Sequence, residues 1–124
     1  MNKTDIPVML MEDDDASRDQ LLSLLGKMGY HRVSLAKNVN EAFQVLNQNQ
    51  VGMVFCSWDV WGGLGLSFLK LIRTQVRYNN VRFLMMANLD NKERKSQVLT
   101  AAKLGVDGFL LKPITLEQIE GVIK

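Results

Sequence analysis

A parallel α/β sandwich, five strands coated by helices on both faces, is the fold predicted for this chain of 124 residues. Three observations predict it. Apolar strand-like runs alternate with helix-period segments five times along the chain. The clearest runs are continuous rather than alternating, the form of strands buried on both faces. The connections are short, and a parallel pairing needs a crossover that returns over one face of the sheet, so helices must cover it.

Pro7 to Met11 is the first strand. Leu21, Leu24, Leu25 and Met28 then recur at helical spacing, with Asp14 or Asp15 as N-cap and Gly29 as the stop. His31 to Ala36 is a second, more polar strand and is therefore expected near an edge. Asn38 caps the next helix with Glu41 three residues on, and Val39, Ala42, Phe43 and Leu46 share one face. Gly52 to Ser57 is the third strand, and Leu66, Leu69 and Ile72 mark a helix after the glycine-rich Trp61 to Gly65. Val81 to Ala87 is the fourth strand and Lys92 to Leu104 the fourth helix, ended by Gly105. Gly108 to Lys112 is the fifth strand and Thr115 to Lys124 the last helix, with Thr115 and Gln118 at capping-box spacing.

The composition is that of an ordinary globular chain, 47% hydrophobic and 23% charged, with enough residues for one core. Net charge is +2 with the signs interspersed, so no basic stripe points to nucleic acid. The single cysteine, Cys56, lies in an apolar strand; it suits a reducing compartment and reads as a small core residue. The seven methionines, Met9, Met11, Met85 and Met86 among them, read as core filler. Residues 1–5 lack the apolar core of a signal peptide and no apolar run reaches membrane-spanning length, so a cytoplasmic protein without a membrane partner is expected.

In an open parallel sheet, ligands sit beyond the carboxyl ends of the strands. Glu12, Asp13, Ser57, Ala87 and Lys112 all fall on that edge. Carboxylates held together repel one another, a repulsion that Mg²⁺ relieves through oxygen ligation, and a lysine opposite would stabilise a transferring phosphoryl group. Glu12 and Asp13 directly end a buried strand and read as site residues, whereas Asp14 and Asp15 read as a helix cap and a first-turn acid.

The pair Glu12-Asp13, the first helix bearing Arg18, the third strand followed by Trp58 and Gly65, and Gly105-x-Asp107-Gly108-Phe109 leading into Lys112-Pro113 together resemble the receiver domain of response regulators. Single-domain, CheY-like members are nearest in length, and the resemblance covers essentially the whole chain. It implies a flavodoxin-like (βα)5 three-layer sandwich with strand order 2-1-3-4-5, and residues 1–124 as one receiver-like domain, alone or as the N-terminal part of a longer protein. It further implies two-component signalling. There a sensor kinase's phosphohistidine donates to an aspartate after strand three, which holds Mg²⁺ together with the acids after strand one. A hydroxyl residue after strand four then moves toward the phosphoryl group, and an aromatic residue in strand five rotates inward.

Mapped position by position, Glu12, Asp13 and Lys112 match, while Ser57 falls on the acceptor and Ala87 on the hydroxyl switch. Phe109 keeps the aromatic without a polar tip, and Trp61 stands near the usual loop proline. Ser57 cannot form an acyl phosphate, and Ala87 has nothing with which to bond a phosphoryl oxygen. The expectation is a degenerate receiver: no enzyme, no required cofactor and at most weak Mg²⁺ binding at Glu12, Asp13 and Asp59. Its partners would be signalling proteins, a histidine kinase or an output domain, met on the face of the fourth helix, fifth strand and fifth helix. Lys112 is expected to approach Asp13. Trp58 and Trp61 flank a glycine-rich loop, and either anchor a partner or fold back over the acidic pocket.

Two alternatives remain at this stage. One is a conventional receiver phosphorylated at Asp59 or elsewhere. The other comes from the similarity of Asp13-x-Asp15 after an apolar strand to haloacid-dehalogenase-type phosphohydrolases, with Asp13 as nucleophile and Asp15 as general acid/base. No acidic pair follows a strand downstream of Lys112 and the chain has no cap insertion, which argues against the latter.

Overall fold

The computed structural model describes residues 5–88 and 94–123. Five strands form one parallel sheet in the order β2-β1-β3-β4-β5. They are β1 (Val8–Met11), β2 (Val33–Leu35), β3 (Met53–Ser57), β4 (Arg82–Asn88) and β5 (Gly108–Lys112). The helices are α1 (Asp15–Lys27), α2 (Val39–Gln48), α3 (Gly65–Arg73), α4 (Arg94–Lys103) and α5 (Leu116–Ile123). This is the flavodoxin-like (βα)5 sandwich with the expected strand order, and the polar β2 does lie at an edge. Strand ends differ from expectation by a residue or so, except that β2 is half as long as its apolar-polar run suggested. Residues 92, 93 and 124, assigned to the last two helices from sequence, lie outside the described residues.

Alternation along each strand divides the core between the two faces. Met9, Met11, Val54, Cys56, Phe83 and Met85 face a layer made of α2, α3 and α4. Val8, Leu10, Met53, Phe55, Leu84 and Met86 face α1 and α5. The strand methionines are thus core residues, all essentially inaccessible.

The caps follow the local code with one exception. Asp14 accepts from the Ser17 N–H at 2.8 Å, and Asn38 from the Glu41 N–H at 2.8 Å. Gly29, at φ 91°, lets the chain leave α1 while Tyr30 N–H returns to the Leu25 carbonyl. At α5 the Gln118 N–H does bond Thr115 Oγ1, at 3.2 Å. The Gln118 side chain does not complete the box. Its amide instead bonds both the N–H and the carbonyl of Leu111, at 2.8 and 3.0 Å, occupying the outer edge of β5.

Two features carry no local sequence signal. A non-helical turn at Val60–Gly63 precedes α3, and a 3-10 turn at Val76–Tyr78 follows it. Arg73, at the end of α3, donates to the carbonyls of Gly105 (2.9 Å) and Val81 (3.0 Å) and to Asp107 Oδ2 (2.8 Å). Asp107 Oδ2 also accepts the Phe83 N–H at 2.7 Å, so one ion pair ties α3 to the starts of β4 and β5.

Candidate functional site at the carboxyl edge of the sheet

Parallel register places the ends of β1, β3, β4 and β5 along one edge of the sheet. Met11 pairs with Cys56, Ser57 with Met86, and Asn88 with Lys112. Glu12 follows β1 with its side chain only 2% exposed. A carboxylate held so deep needs a partner, and the Lys112 ammonium supplies it by an ion pair to Oε1. The same ammonium donates to Ser57 Oγ at 3.0 Å. An ammonium has no acceptor capacity, so the Ser57 hydrogen points elsewhere, and Ser57 Oγ donates to Asp59 Oδ1 at 3.0 Å. The result is a continuous chain from Glu12 through Lys112 and Ser57 to Asp59, joining the ends of β5, β3 and β1.

The expected pairing of Lys112 with Asp13 is therefore corrected: Lys112 meets Glu12. The two acids point differently because they are neighbours at the end of an extended strand. Glu12 is turned inward, while Asp13 is exposed and its Oδ2 accepts the Trp61 N–H at 2.9 Å. Ala87, buried at the end of β4, brings only a methyl group to this edge.

Trp61 adopts φ 52°, the left-handed region, followed by Gly62 at 77° and Gly63 at 107°. For a bulky residue this costs about 1–2 kcal/mol. The bond to Asp13 and packing against the core offset it. Half-buried, Trp61 folds back to wall a small opening of about 180 Å³ together with Glu12, Asp13, Arg18 and Lys37. Trp58 is also half-buried, its ring 6.4 Å from that of Phe109 at 48°. Beneath them Gly65 opens α3 hard against the carbonyls of Ser57 and Trp58.

Asp14 has its carboxyl below the ordinary value of 3.8, chiefly because the Ser17 N–H and then the Ser17 hydroxyl donate to it. A lowered pKa means its stabilising contribution is present above pH 3.8 and is lost as pH falls through the native value. Burial, and then the Glu12 charge, push the Cys56 thiol far above its usual range. In the native protein Cys56 is expected to resist a thiol-specific chromogenic reagent and to react stoichiometrically once urea unfolds the chain.

The acids do not fit a divalent cation as they stand. One oxygen of each candidate ligand is already engaged: Glu12 by Lys112, Asp59 by Ser57, Asp13 by Trp61. Among the described residues no three Asp, Glu, His or Cys side chains converge on a point that would hold a metal.

Comparison with known proteins identifies the class: residues 8–124 match the response regulator receiver domain family, and the chain belongs to it. It is 22% identical to the chemotaxis protein CheY of Pseudomonas aeruginosa, over 94% of this chain and 92% of that one. A CheY homolog of Campylobacter jejuni is 26% identical over 94% of this chain and 91% of its own length. Among solved structures, a response regulator from Chloroflexus aurantiacus superposes with a TM-score of 0.84 at 22% identity, covering 96% of this chain and 94% of that one. CheY4 of Vibrio cholerae gives 0.77 at 22% identity and 95% coverage of each chain. The protein is thus a receiver domain of the two-component type, a class of signalling module, and not a member of the phosphohydrolase family to which Asp13 and Asp15 bear a local similarity. Among the described residues no helix is long and apolar enough to cross a membrane.

Proposed function

We propose that residues 1–124 act as one receiver unit that signals through protein contacts without accepting a phosphoryl group. The observation that carries this reading is the state of Ser57: buried, hydrogen-bonded to Lys112 and Asp59, at the end of β3 where the family's acceptor aspartate stands. A serine cannot make the acyl phosphate, and Lys112, which would meet a phosphoryl group, is held on Glu12 and Ser57. Ala87 at the switch position adds no hydroxyl to respond, and Phe109 is packed against Trp58. In this reading the site is a fixed structural joint. It requires no cofactor and performs no catalysis, and partners recognise a surface set by the fold.

Intact mass after incubation with Mg²⁺ and a small acyl phosphate tests the reading. The wild type is expected to stay unmodified, while Ser57→Asp gains one phosphoryl group. A labelled wild type overturns the reading, and mapping the adduct would show whether Asp59 serves as acceptor.

A further inference from the structure

We propose that the layer formed by α3, the Val76–Tyr78 turn and α4 docks an acidic, leucine-bearing amphipathic segment of a partner protein. The inference rests on the interaction-module reading and supplies its location and chemistry. Two independent properties converge on this layer.

The first is charge. From Val60 to Val106 the sequence carries eight Lys or Arg and only two acids, Asp90 and Glu93. Seven of the thirteen acids lie instead at the end of β1, in α1 and in α5, which leaves this stretch the more basic side. Some cations of the basic side have internal work. Arg73 pairs with Asp107, and Arg82 holds the carbonyls of Val122 and Ile123. Lys70 and Arg77 are exposed and, among the described residues, form no salt bridge, although Arg77 donates to Gln75 Oε1 at 3.2 Å and lies over the Tyr78 ring at 4.8 Å.

The second is apolar exposure. Of the five large apolar side chains exposed among the described residues, four lie here: Leu64, Leu71, Val76 and Leu99. Packing does not explain them. The inner stripe of α3, Phe68, Leu69 and Ile72, already supplies that helix's share of the core. Leu64 and Leu71 are two turns apart and so share one stripe on the outside of α3. Val76, 81% exposed, continues beyond it. Leu99 sits on the outward face of α4, with exposed Ser96 and Ala102 one turn away on either side. The bond from Arg73 to the Gly105 carbonyl ties the end of α3 to the chain just after α4, and both helices cover the same face of the sheet.

Leucines separated by single cations fit a helix that alternates apolar and acidic side chains. A phosphate backbone or a lipid headgroup surface calls for clustered cations without interposed leucines. Charge complementarity therefore favours an acidic protein segment.

Nitrogen-15 NMR titration with a synthetic helical peptide of about five turns, leucine at every third or fourth position and glutamate beside it, tests the surface. Amide shifts are expected to move from Leu64 to Arg77 and from Lys95 to Lys103. Leu71→Ala and Arg77→Glu should each weaken binding about tenfold, and both should fold, because neither side chain belongs to the core. Shifts centred on α1, or on β5 and α5, overturn docking here while leaving the interaction-module reading intact. Unchanged affinity in both variants, no binding, or tighter binding of anionic vesicles or duplex DNA than of the peptide overturns it as well. Phosphoryl labelling of the wild type, by contrast, overturns the underlying reading whatever the peptide does.

Discussion

Lys112→Met is expected to destabilise the domain by about 3–5 kcal/mol, the cost of leaving a buried carboxylate without its partner. The Glu12 side chain is 2% exposed and that of Lys112 12%, so water cannot replace the ammonium without opening the end of the sheet. Methionine keeps most of the side-chain volume, which confines the loss to charge and hydrogen bonding. Adding Glu12→Gln to Lys112→Met should recover about 2–3 kcal/mol, since the orphaned charge is gone. Urea denaturation of both single variants, the double variant and the wild type measures this, provided the slope of stability against urea is unchanged. A loss below about 1 kcal/mol in Lys112→Met would mean that Glu12 is satisfied some other way, and the joint described for this edge would then be wrong.

Gly65→Ala is the second large effect. A Cβ there would lie 2.4 Å from the Ser57 carbonyl oxygen and 2.8 Å from that of Trp58. Both obstacles are backbone, so neither turns aside by changing rotamer, and the start of α3 must move off the end of β3. A loss of about 3 kcal/mol is expected, the upper end of overpacking. It outweighs the ~1 kcal/mol by which alanine is favoured over glycine in a helix. Gly26→Ala in α1 and Gly121→Ala in α5 are the controls. An added Cβ meets nothing within 4 Å at either position, so both are expected to stabilise slightly. Thermal melts of the three variants should separate in sign. If Gly65→Ala melts no lower than wild type, the close approach of α3 to β3 is not a constraint.

Much of this molecule is legible along the chain. Continuous apolar runs mark β1, β3 and β4 because strands buried on both faces have no polar side. The polarity of β2 reports its edge position, and Asp14, Asn38 and Gly29 act within one turn of their own backbone, so their roles follow from sequence neighbours. The acids after β1, Ser57 after β3 and Lys112 after β5 are placed on one edge by parallel connection alone. Glu12 against Asp13 as the partner of Lys112 was not legible. The two are adjacent and chemically alike, and which one faces inward depends on the direction of the last residues of β1. Arg73 and Asp107 were also missed as a pair. They lie 34 residues apart and meet only once α3 and β5 have packed.

The amino-acid sequence by itself determined the element order, the parallel sheet, the burial of Cys56 and the strand methionines, and a serine rather than a carboxylate at the end of β3. These depend on period, on residue type and on contacts close in the chain. Only the tertiary structure decided that Lys112 bonds Glu12 and Ser57, that Trp61 turns left-handed to meet Asp13, and that Arg73 at the end of α3 reaches Gly105 and Asp107. Each of these is a choice among near-equivalent local options. The energy that settles it comes from atoms far away in sequence, brought within bonding distance by the sheet.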